Sequence, residues 1–175
     1  MSHERYTRTN QKLFYAGLAL ESWQEAEKAS SFNAPARIQA SREEALFHLY
    51  GAVLGLCHEI AGYYRLPDDA LPTVEALLAP ARLQASPSPE MAELVELAQN
   101  GETWLAKLLS AHATLYKPPV APVQPKQDPT LPLIQAVNVG DESRDVQPLD
   151  ALEIEAWRQR IKALALRFRE GLSEI

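Results

Sequence analysis

PARIQASREEALFHLYGAVLGLCHEIAGYY, residues Pro35–Tyr64, decides the fold. Its apolar row Ile38, Ala45, Leu49, Ala52, Leu56, Ile60 and Tyr63 recurs every three, four or seven residues, which is the spacing of one helical face and not of a strand. Pro35 suits a first helical turn, where its missing N–H would be unpaired anyway. From Leu46 to Tyr64 most other positions are apolar or small as well, so this helix is central and covered on several sides.

Upstream, Leu13, Ala16, Leu20 and Trp23 keep helical spacing in a segment from about Thr9 to Ser30, and Ser31, Phe32 and Asn33 then turn the chain back. Downstream, Pro67, Pro72, Pro80 and Pro87 interrupt the rhythm and leave room for one short helix at 74–79. Ser88-Pro89-Glu90 joins a serine cap, a proline and an early acid, a start signal for a third long helix. Asn100-Gly101 is turn chemistry, yet Leu94, Ala98, Gly101, Leu105, Leu108, His112 and Leu115 hold one register across it, so one kinked helix is expected. The last helix carries Ile154, Trp157, Ile161, Leu164, Phe168 and Leu172 on one side, with its acids early and its bases late to complement the helix dipole.

The expectation is an all-α, four-helix bundle in a single domain over 1–175, with long helices at about 9–30, 35–64, 88–117 and 149–172. Seven of the 13 prolines lie between Pro118 and Pro148, so 118–148 reads as an extended crossover along the bundle, tethered by Leu131, Leu133, Ile134 and Val137.

Composition narrows the function classes. With 46 % apolar and 23 % charged residues the chain has globular balance, and no long apolar run suggests a membrane span. The formal charge is −6 and no segment is basic as a whole, so nucleic acid is an unlikely partner. Cys57 is the single cysteine, which removes intramolecular disulfides and leaves a thiolate zinc site without a second ligand. His3, Arg5, Arg8 and Lys12 before Leu13–Leu20 imitate a signal peptide, but Glu4 intrudes and no A-x-A site follows, so the expected location is cytoplasmic.

On the central helix Arg37, Ser41, Glu44, His48, Gly51, Gly55, Glu59 and Gly62 fall inside a wedge of about 80°. Each helical glycine costs about 1 kcal/mol against alanine, so three in one stripe signal a close approach. With the turn after residue 30, Gly17 comes level with His48, Asn10 with Gly55 and Tyr6 with Glu59. On the first helix Tyr6, Asn10, Gly17, Glu21, Gln24 and Lys28 share a narrow wedge, which predicts a crossing there and a network of Asn10, His48 and Glu59. The candidate binding surface is therefore Tyr6, Asn10, His48, Gly55, His58 and Glu59, for a protein or small-molecule partner, with no cofactor and no metal expected.

Catalytic signals are sparse. There is no Glu-x-x-His for a di-iron bundle, no Gly-x-Ser-x-Gly and no phosphate-binding glycine loop, and Cys57 reads as a buried inert thiol. A single-metal site of Glu44, His48 and His112 competes with a satisfied core histidine. Arg42 and His48 have the loose spacing of HEPN-type helical ribonucleases, which makes them the catalytic pair of the alternative reading, a HEPN-like ribonuclease or other helical hydrolase. Arg158, Lys162 and Arg169, flanked by Arg160 and Arg167, read as a solvated basic face offset by nearby acids. Exposed Trp or Leu on the last helix would suit a structural homodimer.

YTRTNQKLFYAGLAL (Tyr6–Leu20), LFHLYGAVLGLCHEIAGYYRLP (Leu46–Pro67) and the closing Trp157 with Phe168-Arg169 resemble a family of uncharacterised helical proteins of pseudomonad-type bacteria, a domain of unknown function. The resemblance implies a bacterial cytoplasmic protein and supplies no catalytic residue.

Overall fold

A computed structural model describes residues 2–118 and 149–173, with side chains placed for 6–118 and 149–172. The described residues are all-helical: α1 (Ser2–Ala29), α2 (Ala34–Tyr63), α3 (Val74–Leu77), α4 (Pro80–Ala85), α5 (Pro89–Gln99), α6 (Trp104–Thr114) and α7 (Ala151–Ser173). The predicted crossover over 118–148, with its four tethering residues, lies outside the description beyond Pro118.

The helix α1 starts at Ser2, earlier than the apolar row alone suggests. It reverses where Ser30 takes a positive φ of 44° and the Ala34 N–H donates to the Ser31 carbonyl at 2.9 Å. Thr9 then lies against Gly55 and Glu59, and Lys12 against Gly51 and His48, so the two helices run antiparallel. The C-terminal helix α7 crosses both, while α6 and α5 pack on the remaining flank of α2. Most of each row read from sequence is core: Leu13, Ala16, Leu20 and Trp23; Ala45, Leu49, Ala52, Leu56 and Ile60; Ile154, Trp157, Ile161 and Phe168 are all buried, while at the two ends of the α2 row Ile38 is half-buried and Tyr63 is exposed.

By length and composition α2 could span a membrane, with a best-window mean hydropathy of 1.2, which corrects the expectation that no such run exists. The physical reason for its apolarity is its central position, since α1, α5, α6 and α7 all pack on it.

The third long helix is broken in two, contrary to the expected single one. Asn100 Oδ1 accepts from the Glu102 N–H at 3.1 Å, and the Thr103 hydroxyl donates to the carbonyls of Leu97 and Asn100 while accepting from the Ala106 N–H at 3.2 Å. One threonine thus caps the start of α6 and satisfies the end of α5, and this local hydrogen bonding wins over a shared apolar register. The second short helix, α4, is an addition to the sequence reading. Ser88 holds the N-cap position of α5, but its hydroxyl is buried without a partner and makes no capping bond. Asp150 caps α7 through the Glu153 N–H at 2.7 Å.

Candidate functional site

The six residues expected to form one surface divide into separate environments. Tyr6, Asn10 and Glu59 are drawn together by Arg169 of α7. Its Nε and Nη2 donate to the two Glu59 carboxylate oxygens at 2.9 and 2.8 Å, its Nη1 donates to Asn10 Oδ1 at 3.0 Å, and its guanidinium lies 4.7 Å from the Tyr6 ring centroid. The Thr9 hydroxyl gives Glu59 a further short hydrogen bond. The Glu59 side chain is 2 % exposed, so this forked pair ties α1, α2 and α7 together away from water.

His48 does not join that network. Its Nδ1 accepts from Lys12 Nζ at 3.4 Å, its Nε2 lies 3.8 Å from Glu44, and its ring sits 5.2 Å from Tyr15 and 5.3 Å from Phe47. The predicted levels between α1 and α2 hold approximately, but the polar wedge of α1 faces the other way. Gly17 meets Arg158 of α7, 3.3 Å from where a Cβ would stand, and Glu21 acts electrostatically on the same arginine. The reason is charge: Arg158 and Arg169, two of the bases that read as a solvated face, meet Glu21 and Asn10 of α1, while Arg167 pairs with Glu93 of α5. Thr9 and Lys12, in register with the apolar row of α1, fill the glycine stripe of α2 instead.

Arg42 is six residues from His48, about 240° around the helix axis. Its guanidinium covers the Trp23 ring at 4.8 Å and Nη1 donates to Gln39 at 2.8 Å, so the pair meets no common cleft. Likewise His112 stands on Tyr50 while Glu44 and His48 face each other, and among the described residues no group of three potential ligands can hold a metal ion.

Gly55 and His58 open onto a cleft of about 470 Å³ between α1, α2 and α6. One wall is a ladder of rings. Tyr50 stacks on His112 with centroids 3.7 Å apart and planes 8° from parallel, and Tyr116 meets His112 edge-on at 5.3 Å. The Tyr50 hydroxyl donates to Glu75 at 2.8 Å and accepts from the Val74 N–H at 3.0 Å, and burial is the main cause that pushes its pKa up to about 12. His58 Nε2 donates to the Leu71 carbonyl at 2.8 Å. Burial lowers the pKa of His112, which favours the neutral imidazole. Tyr50 and His58 are therefore held by bonds that do not depend on a ligand.

Across this wall are Arg8, Lys12 and Phe47. The stem of Lys12 packs on Gly51, 3.1 Å from where a Cβ would stand, and its ammonium lies 4.7 Å from the Phe47 centroid. Burial first, and then the Arg8 charge, hold the Lys12 pKa below its ordinary value. Burial and the Lys12 charge do the same to His48. Among the described residues no carboxylate lines this cleft. A wider cleft of about 650 Å³ beside Arg42 carries both signs, with Lys107 opposite Glu43 and Glu153, and a small apolar pocket of about 230 Å³ lies between α4 and α5.

Arg8, Lys12, Tyr50, His112 and Tyr116 were absent from the candidate surface. His112 was legible as a member of the apolar row, and Lys12 as a charge placed where that row should continue. Helical architecture and a cationic, aromatic cleft thus define the class. Over residues 1–175 the chain matches the family of unknown function DUF6586 and belongs to it. No curated protein and no solved structure matches it significantly.

Proposed function

We propose that the chain is a non-enzymatic small-molecule-binding protein whose site is the cleft between α1, α2 and α6. The observation that carries this reading is the ring ladder of Tyr50, His112 and Tyr116, in which Tyr50 is fixed by two hydrogen bonds of its hydroxyl and His112 stacks flat on it before any ligand arrives. A preformed, largely apolar concavity with a few convergent polar groups is the usual form of a small-molecule site, and about 470 Å³ lies in the usual size range. The scaffold reads as a four-helix bundle whose third member is α5 and α6 in series. Binding is favoured over nucleophilic chemistry because Cys57 is buried, with its thiol pushed up to about 12. The test is an amide NMR titration of the full chain with a library of aromatic fragments. Shifts should cluster at Gly51, His58, His112 and Tyr116, and clustering beside Arg42 and Trp157 would overturn the assignment.

A structural homodimer is the second reading, favoured by Leu152 and Leu166, which are 79 % and 51 % exposed on one stripe of α7. A monomer mass unchanged across concentration in light scattering would exclude it.

A further inference from the structure

We infer that the cleft recognises an aromatic oxyanion, a flat ring bearing a carboxylate or phosphate, with the acid group held by Lys12 and Arg8. The inference rests on the cleft being the binding site and adds the chemistry of its ligand.

Lys12 is only 9 % exposed, yet no carboxylate among the described residues pairs with it. Its charged neighbour is Arg8, of the same sign, and its hydrogen-bond acceptor is an imidazole nitrogen. Two other partly buried cations have a carboxylate, Arg169 with Glu59 at 2.8 Å and Arg158 with Glu155 at 2.7 Å, whereas Arg42 and Arg82 donate to the Gln39 amide and to the carbonyls of Pro67 and Asp68. Of the cations with no carboxylate, Lys12 is the one whose exposure falls to 9 % and that faces a second cation across an aromatic cleft. The nearby acids are occupied elsewhere, Glu44 on the far nitrogen of His48 and Glu75 on the Tyr50 hydroxyl. A desolvated ammonium without a counter-charge is costly and persists where something else supplies the charge. In a chain with 23 acids and 17 basic side chains, the described lining of the cleft has Arg8 and Lys12 and no acid. The phenylalanine and the ring ladder then offer flat apolar surface beside the cations, which is why the anion is assigned a ring.

The test is calorimetry with four probes on the full chain: 2-naphthoate, 2-naphthyl phosphate, the neutral isostere 2-naphthylmethanol, and inorganic phosphate. Amide shifts identify the site in each case. At least one aryl anion should bind in the cleft tenfold or more tighter than the neutral isostere, and the better of the two distinguishes carboxylate from phosphate. Lys12→Met, which keeps the packed stem, should abolish that preference while leaving the Kd for 2-naphthylmethanol within twofold. It should also melt higher than the parent in probe-free buffer. Arg8→Gln, at an exposed side chain, should reduce the preference severalfold and decides the matter if Lys12→Met does not fold. Equal affinity for anion and neutral isostere in the cleft overturns the anion assignment and leaves the cleft as a binding site. Inorganic phosphate binding as tightly as the aryl anions overturns the ring. No cleft shift with any probe overturns both readings.

Discussion

Replacing Gly55 by alanine should destabilise the protein, although helix propensity alone favours the change by about 1 kcal/mol. A Cβ at this position would stand 2.7 Å from the Thr9 hydroxyl oxygen and 3.3 Å from the Thr9 backbone N and Cα. The hydroxyl cannot simply rotate away, because it donates to the buried Glu59 carboxylate. Overpacking costs about 1–3 kcal/mol, and loss of a hydrogen bond to a charged group adds about 1.5–3. Against the propensity gain, the net loss is about 1.5–5 kcal/mol. Urea unfolding gives the free energy directly, and in a chain of this size each kcal/mol lowers the melting temperature by about 2–4 °C. The same substitution in a Thr9→Ala background should cost at least 1 kcal/mol less, since the nearest atom is gone and only the 3.3 Å backbone contacts remain. Gly171→Ala is the control: no neighbour lies within 4 Å of its added methyl group, so stability should hold or rise. If Gly55→Ala is as stable as the parent, α1 does not cross α2 at Thr9 and the reasoning fails.

Further outcomes follow from the same contacts. Arg169→Met leaves the Glu59 carboxylate buried without its forked partner and should cost about 3–5 kcal/mol by urea unfolding; a loss under 1 kcal/mol would mean an exposed surface pair. Below about pH 6.5 the unfolded chain takes up protons that folded His112 and His48 resist, because burial lowers both pKa values. Stability should therefore be full above that pH and fall as the pH drops below it. His112→Phe, which keeps a ring between Tyr50 and Tyr116 while Glu75 remains nearby, should flatten the slope; an unchanged slope contradicts this. Cys57 in the native protein should resist a thiol-disulfide reagent at pH 8 and react fully in denaturant.

Much of the architecture was readable in the chain because burial obeys periodicity. The apolar rows of α1, α2 and α7 are the buried rows except at the ends of α2, where Ile38 is half-buried and Tyr63 exposed, and the glycine stripe marks a real close approach at Gly55. What escaped sequence reading depends on local hydrogen bonding or on partners far apart in sequence. Asn100 and Thr103 break a helix whose apolar register continues, because capping satisfies the backbone at both ends. Arg169 lies 110 positions from Glu59, so nothing in its own segment distinguishes it from a solvated base. Of the six proposed site residues only Gly55 and His58 line the cleft; Tyr6, Asn10 and Glu59 belong to the helix clamp, and His48 supports Lys12 from behind. The rest of the cleft, from Tyr50 to Tyr116, is assembled only when α6 packs against α2.

The most direct measurement is a crystal structure of the full chain with the tighter-binding of 2-naphthoate and 2-naphthyl phosphate. The aryl-anion reading requires an oxygen of the acid group within about 2.7–3.2 Å of Lys12 Nζ, with the ring against the Tyr50, His112 and Tyr116 wall. Probe bound elsewhere, or Lys12 paired with a carboxylate of the chain itself, contradicts it.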